Sequence, residues 1–132
     1  MALLLTIDAS VFVAACRPRE PGHAARRALL AVLQAADAPL VEPALVAVEV
    51  AAALCRTGED PGLAKEYGEA ILALPHLTVA VVDGRLARRA LAVATQCRLR
   101  GADAVYATAA LQYGARLVTL DESMPMPLPS DR

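Results

Sequence analysis

The sequence is poor in aromatic residues and in residues that commonly bind transition metals. It contains no tryptophan, one phenylalanine and three tyrosines, so the core must be mainly aliphatic, and its alanine-rich composition favours closely packed helices. The two histidines, His23 and His76, are isolated, which excludes a histidine-based metal site. Cys16, Cys55 and Cys97 lie far apart with no CxxC pair, which argues against structural disulfides and a zinc site and is typical of a reducing cytoplasm.

An excess of one charge and a long apolar run are also missing. Thirteen basic and fourteen acidic residues give a net charge of -1, so the whole molecule is not a basic clamp for nucleic acid. No apolar run has the length of a membrane span. Val13–Cys16 resembles a lipoprotein cleavage site, but no basic residue precedes the apolar stretch and Asp8 interrupts it. We therefore expect a cytoplasmic protein without a membrane association.

The length and the hydrophobic pattern predict one α/β domain. A chain of 132 residues that is 57% hydrophobic fits a single domain, 1–132, with a sizeable core, and the proline-spaced tail from about residue 122 is predicted to be irregular. Alternating strands and helices imply a parallel sheet covered by helices. Strands are predicted over 3–7, 39–41, 77–82 and 117–120, and helices over 10–16, 22–36, 43–56, 61–74, 84–98 and 102–113.

Several residues at the predicted boundaries have local roles. Asp60 and Asp83 are predicted N-caps of the helices that follow them. Pro43 is predicted as the first residue of its helix, which makes Glu42 the residue that precedes and caps it. Gly114 is the predicted C-terminal stop of the last helix.

Two acidic residues directly follow predicted strands. Asp8 follows the first strand and Asp121 follows the last one, so both are expected at the carboxyl edge of the sheet. In open α/β sheets, ligands bind beyond that edge. Each residue also has a simpler interpretation, because Asp8 could cap the next helix and Asp121 could be a turn residue.

Two further acids lie in unusually apolar helices. Glu49 is surrounded by valine and alanine, and Asp103 lies in a helix rich in alanine. A buried lone carboxylate is costly, so each needs a partner. Arg56 could pair with Glu49, and the helix dipole could stabilise Asp103. A hard divalent cation such as Mg²⁺ would account for several of these acids at once, because it removes their mutual repulsion.

The order and spacing of these motifs resemble those of PIN-domain proteins, and most closely the VapC-type toxins of toxin–antitoxin pairs. The similarity covers nearly the whole chain. The matching segments are Thr6–Phe12 (TIDASVF), Val46–Leu54 (VAVEVAAAL), Leu99–Ala110 (LRGADAVYATAA) and Leu117–Asp121 (LVTLD).

The resemblance implies a catalytic acidic quartet and a fold. The quartet comprises Asp8, Glu49, Asp103 and Asp121, of which Asp8, Asp103 and Asp121 would hold Mg²⁺ or Mn²⁺. The hydroxyl groups of Ser10 and Thr119 would support the site. The implied fold is a three-layer α/β/α sandwich with a central parallel sheet.

The resemblance also implies an activity and partners. The expected activity is metal-dependent endoribonuclease cleavage of single-stranded RNA or a structured RNA loop. The expected partners are a cognate antitoxin protein and a second copy of the chain in a homodimer.

Two alternative functions are a catalytically inactive binding module of the same fold and a metal-dependent nuclease that acts on DNA. A phosphoacceptor receiver domain is excluded, because Asp8 has no acidic neighbour and Lys65, in mid-chain, is the only lysine.

Overall fold

The computed structural model describes residues 3–120. In that part of the chain, four strands form one parallel sheet in the order β3-β2-β1-β4, and six helices cover it as a three-layer α/β/α sandwich. The predicted fold class is therefore confirmed. The elements are β1 (Leu5–Ile7), α1 (Ala9–Cys16), α2 (His23–Ala35), β2 (Leu40–Pro43), α3 (Val46–Arg56), α4 (Pro61–Leu72), β3 (Leu77–Ala80), α5 (Gly84–Cys97), α6 (Gly101–Tyr113) and β4 (Arg116–Val118).

The two central strands are buried along their whole length. Every residue of β1 and of β2 is buried, whereas the edge strands β3 and β4 contain exposed positions. Strands covered on both faces by helices have no solvent-exposed side, which is why all three residues of β1, including Thr6, are buried. Helix α6 packs against β1, β2 and β4, and α3 packs against α1 and α4.

The predicted helix boundaries at Asp60, Asp83 and Gly114 are confirmed. Asp60 Oδ2 accepts a hydrogen bond from the Leu63 N–H at 3.1 Å, and Asp83 Oδ1 accepts one from the Leu86 N–H at 2.9 Å. Each carboxylate thereby satisfies a free amide in the first turn of its helix. Gly114 ends α6 in the left-handed region, with φ of 66°.

The predicted helix start at Pro43 is wrong. Glu42 and Pro43 belong to β2, and α3 begins only at Val46. Proline fixes φ near −65°, which suits an extended strand as well as a first helical turn, so the sequence alone does not distinguish them. The third strand ends at Ala80 rather than at the predicted residue 82. Asp121 and the tail from about residue 122 lie outside the described residues.

Two further expectations concern the cysteines and the membrane. Cys16, Cys55 and Cys97 are free, in agreement with the absence of paired motifs. Over residues 3–120, none of the helices has the combined length and apolar character needed to cross a membrane.

Candidate active site

Asp8 lies at the carboxyl end of β1 and is only 5% exposed. Its N–H donates to the carbonyl of Val118 at 2.8 Å, which ties it to β4. It occupies the N-cap position of α1, but its side chain makes no capping hydrogen bond. Its Oδ2 instead accepts hydrogen bonds from Ser10 Oγ at 2.7 Å and from Thr119 Oγ1 at 2.9 Å. The capping interpretation therefore does not explain this buried carboxylate.

The two hydroxyl groups also connect separate parts of the fold. Ser10 lies in the first turn of α1, and its Oγ accepts a hydrogen bond from the Leu120 N–H at 3.3 Å. Thr119 follows β4 directly. Together they hold the end of β1, the start of α1 and the segment after β4 around one carboxylate oxygen. Such donors offset part of the cost of removing a carboxylate from water.

Glu49 lies in the first turn of α3, and its Oε1 is buried without a hydrogen-bond partner. Burial raises the pKa of Glu49 above its ordinary value of 4.5, and the negative charge of Asp8 acts in the same direction. The neighbouring Tyr106 hydroxyl and the positive charge of Arg56 oppose that increase. The Tyr106 hydroxyl lies near Glu49, but it is itself buried without a hydrogen-bond partner, so the two groups do not form a regular hydrogen bond. The Oε1 atom of Glu49 can therefore bind a cation or accept a hydrogen bond.

Asp103 lies in the first turn of α6, where the helix dipole favours a negative charge. Its Oδ2 is 3.4 Å from Arg100 Nε, while the side chains of Asp103 and Arg100 are 15% and 85% exposed. An ion pair with one partner in solvent contributes about 0–1 kcal/mol, because water screens it. The contact with Arg100 therefore does not explain the largely buried carboxylate by itself.

These three acids line one cavity of about 530 Å³. They come from the end of β1, from α3 and from α6, and Arg56 and Arg100 form part of the wall. The structure thus brings together three of the four acids predicted from the sequence, and Asp121 lies outside the described residues. Carboxylate oxygens suit a hard divalent cation. Within residues 3–120, however, no three acidic, histidine or cysteine side chains are close enough to hold an ion between them.

Glu42 is a buried acid at this end of the sheet that the sequence analysis assigned to a helix cap. It is 0% exposed, and its Oε2 accepts a hydrogen bond from the Ile7 N–H at 2.7 Å. Its Oε1 is buried without a partner. Burial raises the pKa of Glu42 to about 9; the Ile7 N–H lowers it somewhat, and the charge of Asp8 raises it. Glu42 is therefore a neutral acid near pH 7. The signal in the sequence was an acid within an apolar strand.

Tyr106 is a further buried polar residue, close to Glu42 and Glu49. It is fully buried in α6, and its hydroxyl has no hydrogen-bond partner. Burial raises the pKa of Tyr106 far above its ordinary range, and the nearby carboxyls of Glu49, Glu42 and Asp8 raise it further. Tyr106 is therefore a neutral hydrogen-bond donor adjacent to these acids.

Comparison with known proteins identifies the fold. The PIN domain family matches residues 5–125. No curated protein sequence shows a significant match to the chain.

Several solved structures are similar. Mycobacterium tuberculosis VapC20, a sarcin-ricin loop cleaving toxin, is similar with a TM-score of 0.71 and 18% identity over 89% of each chain. VapBC2 from Rickettsia felis, bound to a DNA fragment from its promoter, has a TM-score of 0.66 and 13% identity over 90% of this chain and 88% of that one. A toxin–antitoxin complex from Klebsiella pneumoniae has a TM-score of 0.66 and 16% identity over 95% and 92%. At these identities, the likeness shows a shared fold.

Proposed function

The chain belongs to the PIN domain family, and from that premise we propose that it is an Mg²⁺- or Mn²⁺-dependent endoribonuclease that cleaves single-stranded RNA or a structured RNA loop. One observation carries the proposal: Asp8, Glu49 and Asp103 come from three separate elements and line one cavity. That cavity includes the carboxyl end of β1, where ligands bind in open α/β sheets. Acidic side chains that come from separate elements and share one cavity indicate a functional site.

We assign the roles from the placement of the acids at the carboxyl edge of the sheet together with the family resemblance. Asp8, Asp103 and Asp121 would hold the cation, and Glu49 would position the attacking water. The place of Asp121 in this set is proposed from the sequence alone. A bound divalent cation would supply activation of the water and stabilisation of the negative charge that develops on the phosphate.

The protein's own side chains prepare the site in two ways. Ser10 and Thr119 both donate to Asp8 Oδ2, so the orientation of that carboxylate is fixed before any ligand binds. Arg56 and Arg100 belong to the wall of the same cavity, where guanidinium groups can contact phosphate oxygens in pairs. An RNA strand entering the cavity would therefore meet positive charge at its wall and the acids inside.

We further propose that the protein is the toxin of a type II toxin–antitoxin system and acts as one domain over residues 1–132. A cognate antitoxin would inhibit it, and a homodimer in the cytoplasm would be the active form. VapBC2 and the Klebsiella pneumoniae complex, which share the fold, support the antitoxin partner. VapC20 cleaves the sarcin-ricin loop, which supports an RNA substrate.

The first test is cleavage of a labelled single-stranded RNA by wild type and by Asp8→Asn, with Mn²⁺ present. We expect Asp8→Asn to lose about 100-fold or more of the cleavage rate, because it removes a cation ligand worth several kcal/mol of charge stabilisation. Its folding should be retained, since repulsion among the acids falls when one carboxylate is neutralised.

Asp60→Asn is the matched control for the RNA assay. It removes one negative charge at the start of α4, and asparagine remains a good helix cap. We expect it to cleave RNA at the wild-type rate. Faster cleavage of duplex DNA than of RNA would contradict the substrate assignment. A wild type that binds Mn²⁺ but cleaves neither nucleic acid would favour the inactive binding module.

A further inference from the structure

The ladder between β1 and β2 ends unusually early. β1 pairs with β4 at Leu5, Thr6 and Ile7, whereas it pairs with β2 only at Leu5, opposite Leu40. The two strands that stop pairing are the most buried strands of the sheet. Unpaired amides are costly in such a place, so each donor there needs another acceptor.

The side chain of Glu42 is that acceptor. In a continued parallel ladder, the Ile7 N–H would donate to the carbonyl of Val41, and residue 43 would donate to the carbonyl of Ile7. Pro43 has no N–H and cannot take that part. The Ile7 N–H donates instead to Glu42 Oε2 at 2.7 Å. A carboxyl group thus replaces a backbone carbonyl in the middle of the sheet.

We infer that Glu42 is a positioning residue of the active site, whose side chain fixes the point at which β1 delivers Asp8 to the cavity. Asp8 is the next residue after Ile7. Its own N–H is held by Val118 of β4 at 2.8 Å. The backbone leading into Asp8 is therefore held from β4 on one side and from the Glu42 side chain on the other. The inference rests on the proposed function, because it assigns a role at that same site.

The second oxygen of Glu42 belongs to a set of three buried polar atoms near the active site. Glu42 Oε1, Tyr106 Oη and Glu49 Oε1 are all buried without a hydrogen-bond partner. The carboxyl groups of Glu42, Glu49 and Asp8 all raise the pKa of Tyr106, so they lie near its hydroxyl. Glu42 supplies an acceptor to the Ile7 N–H through Oε2, and its other oxygen has no partner. Glutamine keeps an acceptor oxygen at that place, whereas the thioether of methionine is only a weak acceptor.

Three variants separate positioning from direct cation binding. Glu42→Gln keeps the hydrogen-bonding pattern, Glu42→Met keeps the approximate length only, and Val41→Ala weakens the core at the adjacent buried position of β2. The measurement is Mn²⁺ affinity by titration calorimetry on each folded protein, followed by RNA cleavage. We expect Glu42→Met to lose about tenfold or more of the Mn²⁺ affinity, because loss of the hydrogen bond to Ile7 displaces the neighbouring ligand Asp8, and Glu42→Gln to stay within about threefold. Val41→Ala should lower stability and keep the affinity.

The affinities of these variants decide whether Glu42 positions Asp8. Wild-type Mn²⁺ affinity in Glu42→Met would overturn the inference. A folded Glu42→Gln that binds Mn²⁺ as weakly as Glu42→Met would also overturn it, because Glu42 would then be a charged ligand. If Glu42→Met does not fold, Glu42→Gln still decides: retained affinity with a protected Ile7 amide in hydrogen exchange supports positioning, and loss of either overturns it. If wild type binds Mn²⁺ without cleaving RNA, the proposed function fails while the affinity comparison still decides the role of Glu42.

Discussion

Asp8 and Glu42 are buried at the carboxyl ends of β1 and β2, and the half-buried Glu49 lies beside them on α3. The three carboxyl groups have different numbers of hydrogen-bond donors. Asp8 Oδ2 accepts from two hydroxyl groups, and Glu42 Oε2 accepts from one backbone amide. The buried Oε1 of Glu49 has no partner. A buried carboxyl with few donors favours its protonated form. The pKa of Glu42 is accordingly raised to about 9 and that of Glu49 is raised above 4.5.

The pKa of Glu42 predicts how stability depends on pH. Above the ordinary value of 4.5, the unfolded chain releases the Glu42 proton, while the folded protein keeps it up to about pH 9. The unfolded state therefore binds fewer protons in that window, so the free energy of unfolding falls as pH rises, by at most about 1.4 kcal/mol per pH unit from this residue. Glu42→Gln should remove this contribution. Urea unfolding of both proteins at about pH 6 and about pH 8 measures the difference.

Wild type should lose more stability than Glu42→Gln over that interval. The ionisation of other groups is common to both proteins and cancels in the comparison. Equal losses in the two proteins would mean that Glu42 is already ionised in the folded state, contrary to its burial.

Individual site residues differ in how far the sequence could specify them. Asp8 could be placed because it follows an apolar strand, and Glu49 and Asp103 because they interrupt apolar helices. Glu42 could not, since an acid before a proline is equally typical of a helix start. Its partner, the Ile7 amide, is 35 residues away in the chain. The assignment of Asp121 stays a prediction.

At the scale of elements, a glycine allows the backbones of α3 and α4 to approach each other closely. A Cβ atom added to Gly68 would be 3.1 Å from the carbonyl oxygen of Ala47 and 3.6 Å from the Cβ atoms of Ala47 and Ala51. Gly68 is itself buried in α4. The helix that carries Glu49 thus has a close backbone contact with its neighbour, which a larger side chain would separate.

Gly68→Val should therefore lower the free energy of unfolding by about 1–3 kcal/mol, through overpacking between the two helices. Thermal or urea unfolding measures the change. The matched control is Gly84→Val, because a Cβ at Gly84, the first residue of α5, has no atom within 4 Å. If both variants were equally stable, the contact between α3 and α4 would be loose enough to adjust, and the argument from close approach would fail.

The elements themselves were more predictable than their ends. Alternating strand and helix patterns gave the order of all ten elements that the structure contains between residues 3 and 120. The ends at Asp60 and Asp83 were predictable because capping is a local interaction. The end of β2 was not, because Glu42 is held there by a residue of another strand. Pairing across the sheet decides such boundaries, and local sequence does not contain it.

At the scale of the whole molecule, the fold brings acidic and basic side chains together in one place, which the net charge of the chain does not reveal. The chain has a net charge of -1, yet Asp8, Glu49 and Asp103 share one cavity with Arg56 and Arg100. The alternation of elements predicted the parallel sheet, and the binding of ligands beyond the carboxyl ends of parallel strands predicted the place of Asp8. The grouping of Glu49 and Asp103 with Asp8 came from the resemblance to PIN-domain proteins. Sequence reasoning did not predict the contact between Arg100 and Asp103. Those two residues are only three apart, and other side-chain directions were equally compatible with the pattern.

The central claim is that Asp8, Glu49, Asp103 and Asp121 form a divalent-cation site, and thermal unfolding with added Mg²⁺ or Mn²⁺ tests it most directly. A ligand that binds only the folded state stabilises it, by about 2.7 kcal/mol at a concentration 100 times its Kd. We predict that millimolar Mn²⁺ raises the Tm of wild type and of Asp83→Asn, a control acid at a helix cap, but not that of Asp103→Asn. No shift in wild type, or an equal shift in wild type and Asp103→Asn, would contradict the account.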